Sequence, residues 1–158
     1  MIQRIQTIYL LVAVVLSVIC MFMPLGEFSV DGLAVAREYN LWLLNMDDNA
    51  SGHHFTFVTS PMFAVLLLSS ALACYAIFAF RNRMAQARFC QFSALLIVGW
   101  YILYAVYGHI LGETDGRTSD FAPSWAAVLP AMSLVFLLLA RRAIMADERL
   151  VRAADRIR

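Results

Sequence analysis

Charge is missing from four long stretches of this chain, and their lengths constrain the fold more than any other feature. No Asp, Glu, Lys or Arg occurs in residues 5–26, 49–80, 89–112 or 121–140, runs of 22, 32, 24 and 20 residues. A helix needs about 20 apolar residues to cross about 30 Å of hydrocarbon. Each run supplies one crossing, and none supplies two. The second run is long because residues 49–60 read as polar loop. The predicted spans are residues 5–24, 61–80, 89–111 and 124–141. Composition agrees: 62% of the 158 residues are hydrophobic and 15% charged, against ~45–50% and ~25% in soluble domains. That excludes a disordered chain and argues against a soluble one. The size is that of a single domain.

The span ends have local causes. Pro24 stops the first helix. Ser60 and Pro61 read as an N-cap followed by proline at the first helical position, where its missing N–H has no partner to lose. Pro123 is expected to do the same for the fourth span, and Pro130, inside it, to kink it. A cleaved signal peptide is disfavoured, because the apolar region is long and no small-x-small site follows. A lipoprotein site at Cys20 fails on the bulk of Ile19.

Arginine sets the orientation. The chain has no lysine, so all 12 basic residues are Arg. Arg4, Arg81, Arg83, Arg88, Arg141, Arg142, Arg149, Arg152, Arg156 and Arg158 fall on one side. Arg37 and Arg117 fall on the other, among Glu27, Asp31, Glu38, Asp47, Asp48, Glu113, Asp115 and Asp120. The positive-inside rule then puts both termini in the cytoplasm.

The largest extramembrane piece, residues 26–60, reads as a small β-rich outer cap between helices one and two. Asp31-Gly32 is a two-residue hairpin signal. Alternation continues through Leu33, Val35, Arg37, Tyr39, Leu41 and Leu43, which predicts two or three short strands. Residues 45–54 then read as a polar loop. The link 81–88 is short, so helices two and three form an antiparallel hairpin. Residues 143–158 form a cytoplasmic amphipathic helix. Leu150, Val151, Ala154 and Ile157 lie on one face; Arg149, Arg152 and Arg156 lie on another. The simpler reading is a continuation of the fourth helix with Arg reaching lipid phosphates; the sharper one is a docking surface for a cytoplasmic partner.

The two ends of the chain are distinctive. It opens Met1-Ile2-Gln3-Arg4-Ile5-Gln6-Thr7-Ile8-Tyr9-Leu10-Leu11, with Met23-Pro24-Leu25-Gly26 after the first span. It closes Arg142-Ala143-Ile144-Met145-Ala146-Asp147-Glu148-Arg149-Leu150-Val151-Arg152, then Asp155-Arg156-Ile157-Arg158. In these termini, and in length and span order, it resembles the uncharacterised four-span membrane protein family of Bacteroidota catalogued as domain of unknown function 4293. Met145 stands where that pattern has glycine. The resemblance implies a bacterial four-helix inner-membrane protein with no assigned activity, and it carries over no catalytic residue.

Candidate chemistry is sparse. No predicted span holds an acid or Arg away from its ends, which argues against an ion-coupled transporter. Cys20, Cys74 and Cys90 form no Cys-x-x-Cys, so a disulfide-generating enzyme is disfavoured and small apolar packing is the simpler reading. His53 and His54, with nearby acids, are a candidate metal pair, but the spacing is poor and solvated loop explains them more simply. Haem would need facing histidines within the spans, and only His109 comes close. Trp100, Tyr104 and Tyr107 recur at i, i+4 and i+7, with His109 beyond. They make a candidate wall for a lipid, quinone or peptide; the simpler reading is an interfacial belt and helix packing. Ala13 with Ser17, and Ser69 with Ala73, are small-xxx-small pairs for close helix approach.

The sequence therefore predicts an all-α membrane protein, a four-helix bundle with an outer cap, embedded in the bilayer of the cytoplasmic (inner) membrane. It points to no enzyme, no cofactor and no nucleic-acid partner. The leading functional expectation is a non-catalytic accessory or assembly subunit with a membrane or cytoplasmic protein partner. The alternative is a ligand-handling protein that binds a lipid, quinone or metal at the outer side.

Overall fold

The computed structural model describes residues 3–30, 33–45, 54–79, 82–112 and 120–155. Four helices dominate it: α1 (Gln3–Phe22), α2 (Ser60–Phe78), α3 (Arg83–Gly112) and α4 (Leu129–Asp155). Stretches long and apolar enough to cross a membrane run over Ile5–Phe22, Phe57–Phe78, Arg83–Gly112 and Trp125–Val151. α1 packs on α2 and α4, and α3 packs on the same two, so the helices close a ring in chain order. Large apolar side chains point outward, among them Ile8, Leu11, Leu68, Leu95, Ile102 and Val135. A soluble surface rarely carries so much continuous apolar area, which fits a membrane protein.

Small residues line much of the inside of the ring, beside larger ones such as Leu10, Ile97 and Leu137. Ala13, Ala73, Ala76, Ala87, Ala94 and Ala140 are buried, with Ser17, Ser69, Ser93 and Ser133. Small side chains let backbones approach closely where lipid gives helices no hydrophobic reason to associate. The serines close two seams. Between α2 and α3, Ser69 Oγ donates to the Ser93 carbonyl at 3.0 Å and Ser93 Oγ to the Ser69 carbonyl at 2.9 Å. Between α1 and α4, Ser133 Oγ donates to the Ala13 carbonyl at 2.9 Å and lies 2.9 Å from Ser17 Oγ. Both small-xxx-small pairs therefore sit at helix contacts, as their spacing predicts.

A five-stranded antiparallel sheet covers one end of the ring. Its strands are β1 (Pro24–Val30), β2 (Leu33–Tyr39), β3 (Leu43–Asn45), β4 (His54–Thr56) and β5 (Asp120–Pro123), in the order β4-β3-β2-β1-β5. Helix α1 ends at Phe22 and β1 starts at Pro24, so Pro24 does terminate the helix. β1 pairs with β2 up to Val30 opposite Leu33, which fits a two-residue hairpin connection; Asp31 and Gly32 themselves lie outside the described residues. Most of the expected polar loop, residues 46–53, lies outside them too.

Several expectations need correction. The cap is not confined to the segment between α1 and α2. The α3–α4 connection supplies β5, which pairs with β1 from Gly26 opposite Pro123 to Ser29 opposite Asp120. Four residues ending in a proline give too short an alternation to read as a strand, and pairing to β1 creates it. Pro123 therefore closes a strand rather than opening a helix. Pro130 falls in the first turn of α4, after a 3₁₀ turn over Trp125–Val128. First-turn N–H groups lack intrahelical partners, so Pro130 fits there without the expected mid-span kink. Ser60 is the first residue of α2, with Thr59 at the cap position and no side-chain cap bond. α3 starts before residue 89, and α4 runs unbroken from its span into the expected C-terminal helix, as the simpler reading has it.

Candidate functional site: a buried polar cluster under the cap

β2 decides what faces the bundle. Alternate residues of a strand share a face, and the inward set is Ala36 and Glu38, continued past the strand by Asn40; all three are buried. The sequence pattern favoured the other set, but Val35 is 41% exposed. Arg37 also belongs to the outward set and binds Glu27, its cross-strand neighbour, at 2.6 Å. Two polar side chains are therefore held against the helix ends.

Asn40 is fully used. Its Nδ2 donates to the Cys20 carbonyl at 2.7 Å. Cys20 lies in the last turn of α1, where carbonyls have no intrahelical N–H, so Asn40 caps that helix from the sheet. Asn40 Oδ1 accepts from Trp100 Nε1 at 2.9 Å. The two contacts fix the amide orientation and join α1, the cap and α3 at one point. Cys20 Sγ is itself turned to the Ala126 carbonyl at 3.6 Å.

The aromatic side chains of α3 complete the seam. Trp100 is fully buried and stacks on Tyr104 with centroids 5.4 Å apart and planes 7° apart. Tyr104 Oη donates to the Leu25 carbonyl at 3.0 Å, and the same carbonyl accepts the Ser124 N–H at 2.7 Å. Tyr101 Oη donates to the Ala127 carbonyl at 2.7 Å. Phe121 packs on Phe28 at 4.8 Å and edge-on to Tyr104 at 5.7 Å. Its ring lies over Gly26, where a Cβ would come within 2.4 Å of the ring. Gly26 is thus required bare for a close approach.

Glu38 is the exception in this cluster. It is buried without exposure, and neither carboxylate oxygen has a hydrogen-bond partner among the described residues. Gly26 stands opposite it in the ladder, and Tyr104 lies within its electrostatic reach. Burial pushes the Glu38 carboxyl up to about 7, because a charge withdrawn from water without a partner is costly. Thr59 Oγ1, at the start of α2, is likewise buried and unpartnered.

The expected site residues fare unequally. Trp100 and Tyr104 are brought together in the cluster, and Tyr107 packs against it partly buried. His109 is exposed in the last turn of α3. His53 lies outside the described residues, and His54 opens β4. Among the described residues, no group of three or more His, Cys, Asp or Glu could hold a metal ion. Arg149 is exposed on α4, Arg152 lies on the same helix, and Arg156 lies outside the described residues. Cys20 and Cys90 are buried and Cys74 partly so, all with free thiols. Sequence reasoning missed Glu38 and Asn40 as site residues. The available signal was the Ala36, Glu38, Asn40 spacing, masked by the stronger apolar alternation one residue out of phase.

A comparison with curated proteins found no match. Over residues 2–157 the chain matches the family model described as a domain of unknown function (DUF4293), and by that match it belongs to this family.

Proposed function

We propose that this is a multi-pass protein of the bacterial cytoplasmic membrane, with both termini in the cytoplasm, acting as a non-catalytic accessory or assembly subunit. One observation carries the reading. The polar atoms of Asn40, Trp100, Tyr101 and Tyr104 all bind groups of the chain itself. Two residues of the expected ligand wall, Trp100 and Tyr104, thus spend their polar atoms on seating the cap. What remains for partners is the outward face of the sheet and the far end of α4, where Arg149, Leu150 and Val151 are exposed.

The test is purification from native membranes in mild detergent, followed by mass spectrometry of bound proteins, lipids, quinones and metals. A stoichiometric protein partner that is lost when Arg149, Arg152 and Arg156 are changed to Ala supports the reading. A protein that purifies alone, and functions unchanged with those substitutions, overturns it.

A second reading, ligand handling at the outer side, rests on Glu38. Its two carboxylate oxygens have no hydrogen-bond partner among the described residues. Recovery of one defined small molecule, lost in Glu38→Gln, would favour it.

A further inference from the structure

We propose that Glu38 is a proton-binding site that couples pH on the cap side of the membrane to how firmly the sheet seats on the helices. The inference is independent of the accessory-subunit reading.

The geometry is an enclosed carboxyl with no partner to neutralise it among the described residues. Its neighbours across the sheet are Gly26 on β1 and Leu43 on β3. The titratable groups facing this level of the cluster are Cys20 from α1 and Tyr101 and Tyr104 from α3. Each is directed to a backbone carbonyl, of Ala126, Ala127 and Leu25 respectively. β5 brings Phe121, and the turn before α2 brings Thr59; neither carries charge. The described basic side chains lie elsewhere. Arg37 is on the opposite face of the sheet, bound to Glu27. His109 is exposed, and Arg83, Arg88, Arg141, Arg142 and Arg149 belong to the far end of the bundle. Asn40 Nδ2 is turned to Cys20, to its carbonyl at 2.7 Å and its Sγ at 3.8 Å, and Trp100 Nε1 to Asn40 Oδ1, so neither donates to the carboxylate. An unpaired buried carboxyl takes a proton in preference to carrying its charge. No space beyond one hydrogen atom is needed.

The coupling follows from where the group sits. Glu38 lies on β2 between the Asn40 clasp and the hairpin, so an ionised form can reach water only if the sheet lifts from the helix ends. The sign is that of a raised acid. Folded Glu38 holds its proton from the ordinary value of 4.5 up to about 7, where the unfolded chain has lost it. Seating is therefore most favourable below pH 4.5, weakens as pH rises, and levels off above 7. From this group alone the equilibrium shifts on the order of a hundredfold across that window.

The test uses the full chain in lipid bilayers, labelled with ¹³C at its four glutamates. Infrared difference spectra follow the protonated carboxyl band against pH, and hydrogen exchange follows the amides of β1 and β2. The expected result is a band that persists to about pH 7 and vanishes in Glu38→Gln. Cap exchange, corrected for intrinsic rate, should rise at least roughly tenfold between pH 4.5 and about 7 and then level off in the wild type and not in the variant. Loss of the band near pH 4.5, or identical exchange profiles in the two chains, overturns the proposal. So does a midpoint that moves when sodium chloride is replaced by choline chloride, which would mean a metal cation occupies the site. If Glu38→Gln does not fold, the labelled wild type alone still decides between the two midpoints.

Discussion

The helix seams and the cap seam bury polar groups in opposite ways. Between α2 and α3, Ser69 and Ser93 serve each other's backbones symmetrically, and the α1–α4 seam does much the same through Ser133 and Ala13. Each group is a small hydroxyl that bonds a backbone carbonyl of the facing helix. Under the cap the groups are large and of unlike kinds, and the single amide of Asn40 joins the end of α1 to the indole of α3. There the Glu38 carboxyl has no partner among the described residues. The difference teaches that the helix ring is built for tolerance and the cap seam for specificity. A serine deletion leaves a partner that can still bond its own helix. A deletion under the cap leaves a buried orphan.

Mutations can break or sharpen that contrast. The largest effect should come from Asn40→Ala, which orphans the Trp100 N–H and the Cys20 carbonyl together. Each orphan costs about 1–3 kcal/mol, so a loss of about 3 kcal/mol is expected in reversible unfolding in detergent, with increased hydrogen exchange at the end of α1. If Asn40→Ala matched wild type, the cap seam would not be the specific contact described. Gly26→Ala comes next. Its Cβ would force Phe121 off β1, at about 1–3 kcal/mol for overpacking. A chemical-shift or crosslinking probe should show β5 detaching while the helix ring persists.

The seams should respond less. A double-mutant cycle on Ser69→Ala and Ser93→Ala is expected to give a coupling of about 0.6 kcal/mol, the usual value for hydrogen bonds between membrane helices. A coupling near that of Asn40 with Trp100 would erase the contrast. The smallest effect belongs to Arg83 and Asp147, which meet at 2.6 Å as an ion pair rather than an aligned hydrogen bond, with side chains 28% and 15% exposed. Asp147→Asn should cost under about 1 kcal/mol and less still in high salt, read as a change in unfolding midpoint with ionic strength.

Much of the bundle was legible in the sequence, and little of the candidate site. The four charge-free runs locate four helices, because hydrocarbon demands an apolar stretch of a set length whatever packs beside it. Ala13, Ser17, Ser69 and Ala73 could be read for the same reason, since helical spacing puts them on one face. The cap was legible as a hairpin and not as a five-stranded sheet. Trp100 and Tyr104 could be singled out by spacing, but their roles could not, since Asn40 and the Leu25 carbonyl meet them only in three dimensions.

By itself the sequence determined which stretches are apolar enough to cross a bilayer, where α1 stops, and where the arginines gather. These depend on local composition and on the cost of charge and bare backbone in hydrocarbon, which each segment meets alone. Only the tertiary structure decided that β5 joins the cap, that β2 turns Glu38 and Asn40 inward in place of Val35, and that Asn40 clasps α1 to α3. A strand has two faces, and a one-residue change of phase exchanges them. Which face is buried is set by what it lands on: here the bare Gly26 under Phe121, the open end of α1, and the indole of Trp100.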